Sequence, residues 1–459
     1  MTMKELTAKY SSGELSPTEY VRQCIDRIDA CEEYRYFVFV NREKAIAAAE
    51  ESAARYRAGQ PLSPLDGVPY GVKDLIDTKD MPTTQGSAIY QGYMASEDAE
   101  VIRRLDAAGA IDLGKLNMQE FAFGAAGDRS YGGFARNPYD FERVCGGSSS
   151  GPAGAVAKEL VQFSLTTETG GSGRIPASLC GVVGSKFTHG RISIRGVKPV
   201  CEELDHVGVM TANVEDNALV LNVLAGYDPD DIFSKDVPAK EDYSALIGGS
   251  LKGIRAGIPY NYYRDNCKKG VFDAAESCIG LLRKLGGEAF ALDFPEDFDR
   301  FRPRHQTLLL ANAYRNHLDD VRDHLNEMDP GIIDRLLSGN ISAAEYQDAL
   351  HGQEEFRRYF AALMSGCDCL LMPTTPDTAC MPFTSELTIN GNVQPTAAVY
   401  THYTWFSNYT GFPCISLPAG FVGGLPAGLQ IIGKPWEEDK LCMIAAALEN
   451  AMDWRKNEW

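Results

Sequence analysis

Along this chain the apolar positions alternate between a helical period and short unbroken runs. Residues 6–30 place Leu15, Tyr20, Val21, Cys24, Ile25 and Ile28 at helical spacing, which predicts an amphipathic helix. Residues 42–57 are alanine-rich with Glu and Lys interspersed and stop before Gly59, a second helical stretch. Residues 67–73 form a short apolar run suited to a buried strand. Ser96 is a candidate cap for a helix running through Val101, Ile102 and Leu105 to Gly109, with a strand expected at 110–113. The alternation continues with a helix at 152–158, strands at 160–166 and 254–258, a helix at 272–285 and a helical region over 304–360. Further strands are expected at 370–372, 415–417 and 428–432. Short apolar runs between amphipathic helices are the pattern of a buried sheet covered by helices, so the expected class is α/β.

No fixed-period repeat or low-complexity linker divides the chain, which reads as one domain over residues 1–459. Within it, 1–60 is an N-terminal helical segment, 67–200 carries the chemically informative motifs, and the acidic, proline-containing stretch 228–242 is expected to be a surface connection. At 459 residues, 44% hydrophobic and 23% charged, the chain can bury a large core. Its formal charge of −19 argues against nucleic acid and anionic membrane as partners, since phosphate recognition draws on Lys and Arg clusters. The N-terminal residues lack the apolar core of a signal peptide and no apolar run is long enough to span a bilayer, so a cytoplasmic protein is expected. The twelve cysteines are dispersed and read as small buried hydrophobes, Cys367 and Cys369 included. The seven histidines show no metal-binding spacing. Neither a metal nor a cofactor is expected.

What remains is oxygen, nitrogen and backbone chemistry, and residues 145–178 concentrate it. Two serine loops, Gly146-Gly147-Ser148-Ser149-Ser150-Gly151 and Thr169-Gly170-Gly171-Ser172-Gly173-Arg174, flank one helix-to-strand unit, and Lys73 lies upstream in Gly-Val-Pro-Tyr-Gly-Val-Lys-Asp. Serine is a weak nucleophile at neutral pH and needs both a base and oxyanion donors. Glycines let backbone N–H groups converge where side chains would block them. A phosphate loop is excluded, because its lysine and hydroxyl are not at the required places. An α/β-hydrolase elbow with Ser149 as nucleophile, and Asp205 and His206 downstream, satisfies G-x-S-x-G. However, the residues before it are polar and broken by proline, and that reading leaves the second loop unexplained.

With their surroundings these segments resemble the amidase signature family. In that family a lysine in G-V-P-x-x-V-K-D, a serine in G-G-S-S-[GS]-G and a second serine in [DE]-T-G-G-S-x-R form the catalytic triad. The likeness runs from about Leu15 through residues 114–124 and Asn137-Pro138 to Asn408–Phe421 and residues 424–433, almost the whole chain. The resemblance implies a single α/β/α domain with a central mixed, twisted sheet. It implies Ser172 as nucleophile, Ser148 as proton relay on a cis peptide bond, and Lys73 as the base. It also implies an oxyanion hole from Thr169, Gly170, Gly171 and Ser172, with Ser149, Glu168 and Arg174 supporting the loops. Lys73 must be neutral to act, and its apolar neighbours Val68, Val72 and Leu75 point to burial as the means. Asp74 is read equally as a loop support or a surface acid.

Three departures from the family pattern stand out: Glu168 for a usual Asp, Pro152 after the first loop where a helix start tolerates it, and the segment 184–191. None falls on the three reacting side chains. The aromatic run Tyr400, Tyr403, Trp405, Phe406, Tyr409 and Phe412 borders the acyl pocket in relatives. With Met118 and Phe123, the residues Tyr400, Trp405 and Phe406 are therefore the expected pocket, and its expected substrate is a small neutral, aryl or apolar amide, with esters and carbamates as further substrates. The glutaminase subunit of the tRNA-dependent amidotransferase shares all the motifs. Against it, this chain has Asn408-Tyr409-Thr410-Gly411 where N-L-A-G is common, and Thr401 where an acid would hold the substrate's amino group. Allophanate hydrolase is a third reading, fitted poorly by the late aromatic run. A non-catalytic binding protein on the same fold is the reading from another class, disfavoured by retention of Lys73, Ser148 and Ser172 together. A homodimer is compatible with all of these.

Overall fold

The computed structural model describes residues 1–459. Eleven strands form one sheet: β1 (Phe37–Val40), β2 (Pro69–Lys73), β3 (Ile111–Leu116), β4 (Phe163–Glu168), β5 (Val183–Lys186), β6 (His206–Thr211), β7 (Arg255–Ile258), β8 (Glu288–Ala291), β9 (Cys369–Pro373), β12 (Cys414–Val422) and β13 (Leu425–Ile432). The order across it is β1-β3-β2-β4-β6-β5-β12-β13-β9-β7-β8, and a separate hairpin joins β10 (Glu386–Ile389) to β11 (Asn392–Pro395). The sheet is mixed. β2 runs parallel to β3 and β4, and β7 parallel to β8 and β9, while every pairing from β4 through β13 to β9 is antiparallel. Helices cover it, so β2, β3, β4, β5, β6, β9 and β13 are buried along their whole length. Strands wet on neither face read as largely apolar runs, which is why β2, β3, β4, β9 and β13 are visible in the chain.

The differences from the sequence reading have local causes. The stretch 6–30 is two helices, Met3–Ser12 and Pro17–Ala30. Gly13 in the left-handed conformation ends the first, and Ser16 starts the second through a capping box with Glu19. The helix expected from Ser96 begins only at Glu100 and uses no side-chain cap. The region 304–360 divides into Arg302–Asp323, Pro330–Leu337 and Ala343–Leu363. Asp329 caps the second with Pro330 in its first turn, and Ser342 caps the third. Strands β1, β5, β6 and β8 and the β10–β11 hairpin had no expectation attached, most of them being segments of only four residues. Residues 225–254 form neither helix nor strand, and Asp228 within them is buried, accepting hydrogen bonds from Ser193 and Arg195 at 2.7 and 2.9 Å. All twelve cysteines are free thiols. No helix is long and apolar enough to cross a membrane.

Candidate active site

Parallel pairing of β2 and β4 brings the carboxyl ends of both strands to one edge of the sheet. Such edges are where open α/β sheets bind ligands. Lys73 is the last residue of β2 and is fully buried. Its Nζ donates to Thr167 Oγ1 at 2.8 Å and Thr167 O at 3.1 Å, near the end of β4. It also lies 2.7 Å from Ser148 Oγ. Burial depresses the Lys73 pKa to about 7, with Asp205 and Glu168 opposing that shift. A large fraction of this amine is therefore neutral near pH 7 and able to take a proton from the hydroxyl it touches.

Ser148 follows a cis Gly147–Ser148 peptide bond. Gly147 is enclosed so closely that a Cβ there would sit 2.7 Å from Gly124 O. The Ser148 carbonyl accepts from the Gln119 amide at 3.0 Å, and the Ser149 amide donates to Ser172 O at 3.2 Å. Ser149 Oγ donates to Thr167 O at 3.2 Å. The two serine loops are thus tied to each other and to the end of β4.

The second loop is built around a buried ion pair. Arg174 donates from Nη2 and Nε to Glu168 Oε1 at 2.7 and 3.0 Å, while Glu168 Oε2 accepts from the backbone amides of Gly173 and Arg174. Burial pushes the Glu168 carboxyl up, but the guanidinium outweighs it and holds the group below its ordinary value. Arg174 also reaches Asn408 Oδ1 at 2.7 Å, Gln430 Oε1 at 2.9 Å and Thr404 O at 3.1 Å. Asn408 closes the circuit by donating to Glu168 O at 3.2 Å. Gly171 has φ +123° and faces Thr404, whose Oγ1 would lie 2.2 Å from any Cβ placed there. Thr404 Oγ1 donates to Gly170 O at 2.6 Å, and Thr169 Oγ1 donates to Asp205 at 2.5 Å. Asp205 accepts from the Val200 and Cys201 amides as well, and burial raises its pKa to about 7. The loop is held from several sides, and Ser172 stands half-buried at its tip.

Thr169, Gly170 and Ser172 open onto a cavity of about 390 Å³. Phe123 and Trp405 line it, as expected, but Met118, Tyr400 and Phe406 do not. Met118 is buried in a separate apolar cluster with Leu75 and Phe121. The Tyr400 hydroxyl donates to Thr378 O and accepts from the Cys380 amide, both at 2.9 Å. Phe406 packs between Phe298 and Phe360, with ring centroids 5.5 Å from each. The expectation of an apolar aromatic pocket also fails on charge. Arg302 and Arg335 line the cavity together with His305, Gln306 and Thr401, and the lining contains no carboxylate. Arg302 donates to Ala398 O and Thr401 Oγ1, and Arg335 to Phe123 O, over whose ring its guanidinium lies at 4.0 Å. In a chain of charge −19 this is a local positive focus. Asn408, Gln430, Thr404, Arg302, His305 and Arg335 were not read from the sequence as site residues, and Asp205 entered only through the discarded Ser149 elbow. Of these, Asn408 and Gln430, inside motifs shared with relatives, carried a signal that would have found them. No group of three or more His, Cys, Asp or Glu is arranged to hold a metal ion.

A family model described as Amidase matches residues 19–442. A glutamyl-tRNA(Gln) amidotransferase subunit from Chloroflexus aggregans is 36% identical over 99% of this chain and 97% of its own length. Among solved structures, a chain described with a vestigial protein complex and the evolutionary origins of an s-triazine catabolic enzyme is 32% identical, with a TM-score of 0.92 over 98% of both chains. The native peptide amidase from Stenotrophomonas maltophilia is 30% identical with a TM-score of 0.86, covering 99% of this chain and 98% of that one.

Proposed function

This chain belongs to the Amidase family, and from that premise we propose that it hydrolyses the C–N bond of a small primary amide that carries a carboxylate, releasing ammonia through a serine acyl-enzyme. The single observation that carries this reading is the buried Lys73 amine, with a pKa near 7, at 2.7 Å from Ser148 Oγ. Ser172 attacks the amide carbonyl, its proton passing through Ser148 to neutral Lys73. The tetrahedral oxyanion is met by backbone N–H groups of Thr169, Gly170, Gly171 and Ser172, an arrangement in which a single donor is worth about 3–4 kcal/mol. Lysinium then returns the proton by way of Ser148 to the departing amine, so the leaving group departs as ammonia. Water takes the place of ammonia and cleaves the ester by the same relay. Every proton that leaves a serine returns, and the chemistry needs no cofactor.

The carboxylate enters through Arg302 and Arg335, which face the cavity without an acidic partner. Guanidinium groups bind planar carboxylates through paired donors. The names of the relatives favour a second reading within this class, the glutaminase component of an amidotransferase, since glutamine is itself a carboxylate-bearing primary amide and such a component works beside protein partners. A cavity lining without Asp or Glu favours a substrate that lacks glutamine's ammonium group. Ammonia release from glutaramate, glutamine, butyramide and benzamide, each repeated with Ser172→Ala, tests both. Glutaramate is expected to be the best substrate. Glutamine preferred over glutaramate would transfer the assignment to the glutaminase reading, and preference for benzamide would remove the role given to the arginines. Labelling by a fluorophosphonate that survives Ser172→Ala would overturn the mechanism.

A further inference from the structure

Three oxygens surround the Lys73 amine, and two of them belong to one residue. Nζ lies 2.8 Å from Thr167 Oγ1, 3.1 Å from Thr167 O and 2.7 Å from Ser148 Oγ. A lysinium has three N–H donors and no acceptor, so these three oxygens satisfy it completely. A neutral amine has two N–H donors and one lone pair, and a carbonyl oxygen can face only an N–H. The lone pair therefore points at the Thr167 hydroxyl or at the Ser148 hydroxyl, and only the second orientation lets the amine take the Ser148 proton. Thr167 is itself buried in β4, and Lys73 is the hydrogen-bond partner of its hydroxyl. Its carbonyl also accepts from Ser149 Oγ at 3.2 Å, which ties the base and the first serine loop to one peptide unit. The two carboxylates that act on the Lys73 charge, Asp205 and Glu168, are bonded elsewhere. Glu168 is held by Arg174 and two backbone amides, and Asp205 by the Thr169 hydroxyl and the Val200 and Cys201 amides.

We propose that Thr167 is the positioning residue of the base: its carbonyl and hydroxyl oxygens take two N–H groups of Lys73 and leave the third position on the nitrogen aimed at Ser148 Oγ. In the neutral amine that position is the lone pair, and as it accepts the proton the Ser148 O–H bond breaks and an N–H bond forms. In the lysinium it is the N–H that gives the proton back. Thr167 exchanges no proton and does not line the cavity, so it acts only through Lys73. The proposal rests on the Ser172–Ser148–Lys73 reading and goes further by naming what orients the base. Removing the hydroxyl has two consequences. One N–H of the lysinium loses its acceptor, which disfavours the charged form and lowers the Lys73 pKa further. The neutral amine loses its alignment, so it takes the proton less well.

Thr167→Val removes the hydroxyl at nearly constant shape, and Thr167→Ser retains it. The rate at which a fluorophosphonate labels Ser172, measured from pH 5 to 9, reads activation of the nucleophile whatever the natural substrate is. The wild-type rate should climb to a plateau near pH 7. For Thr167→Val the plateau is expected to fall about 10-fold to 100-fold and the inflection to move about one pH unit lower. Thr167→Ser is expected to bring the plateau back to within about threefold and the inflection back to its wild-type position. The inflection does not depend on the amount of folded protein, so partial misfolding of a variant does not mask it. A lower plateau with an unmoved inflection would make Thr167 a packing residue and overturn the proposal. An unchanged plateau would overturn it as well, and a higher one would show that the hydroxyl had capped the lone pair. A wild-type rate that is flat with pH would instead remove Lys73 as the base, a failure seen before any variant is made.

Discussion

The floor and the wall of this cavity are constructed on different plans. The floor, comprising the ends of β2 and β4 and the two serine loops, is a closed hydrogen-bond network. Glu168 satisfies Arg174 and two amides, Arg174 satisfies Asn408 and Gln430, and Asp205 and Thr404 fix the turn between them. The wall, from Arg302 and Gln306 to Arg335 and Trp405, has arginines that bond backbone and hydroxyl oxygens but no carboxylate. A satisfied network holds geometry, and an unsatisfied one is completed by its ligand. The contrast therefore assigns transition-state stabilisation to the floor and ground-state recognition to the wall, a division that kinetics separate as kcat and KM.

The largest effects are expected on the floor. Ser172→Ala and Lys73→Met are each predicted to lower kcat by about 10⁴-fold or more, with glutaramate binding retained. In the wild type, kcat/KM for glutaramate should rise about tenfold per pH unit up to about pH 7 and level above it, because Lys73 has to lose its proton before it can accept one. A flat profile from pH 5 to 8 would detach Lys73 from the chemistry. Next in size is Gly171→Ala. Its Cβ collides with Thr404 and its φ of +123° is unfavourable for any side chain. Displacing one oxyanion donor predicts a kcat loss of about 10²-fold to 10³-fold with KM little changed. The wall should respond the other way. Arg302→Gln is predicted to raise KM for glutaramate about tenfold to a hundredfold while kcat stays within about threefold and butyramide kinetics do not move. A kcat loss shared by both substrates would mean that Arg302 shapes the floor, and the division would fall.

The same contrast explains what was legible in the chain. The floor uses residue types that chemistry restricts to few patterns, so Lys73 and the two serine loops stood out, and the structure does bring Lys73 and Ser148 into contact. The central strands were legible because they are apolar on both faces. The wall was not. Arg302, His305 and Gln306 sit on a helix whose polar residues look, in sequence, like any solvated face. Only packing of that helix against 395–405 turns them into a lining. The aromatic run misled for a related reason: Phe406 and Tyr400 are as apolar as pocket residues and serve as core. Strands β5 and β6 escaped notice because each is short and is defined by antiparallel partners such as β4 and β12 rather than by its own periodicity.

The smallest expected effect on turnover tests whether burial or position makes a lysine a base. Lys186, the last residue of β5, is as fully buried as Lys73, and burial brings its pKa from 10.5 to about 7. Its Nζ, however, bonds Phe412 O at 2.5 Å and lies 3.2 Å from His206 Nε2, and it touches no serine. Lys186→Met should therefore preserve the rise of kcat/KM toward pH 7. Loss of that rise would transfer it from Lys73 to Lys186. Its signature belongs to stability instead. Between pH 7 and 10.5 the unfolded lysine holds a proton that the folded one has released, so this group makes the fold more stable as pH rises through that window and less stable as pH falls toward 7. Removing it deletes that gain. The unfolding free energy of the wild type minus that of Lys186→Met, from urea titrations, should rise by about 2 kcal/mol from pH 7 to pH 9, whichever protein is the more stable at pH 7. A difference that does not change over this interval would mean that Lys186 stays charged in the folded protein, and then depth of burial alone would not account for the neutral amine at Lys73.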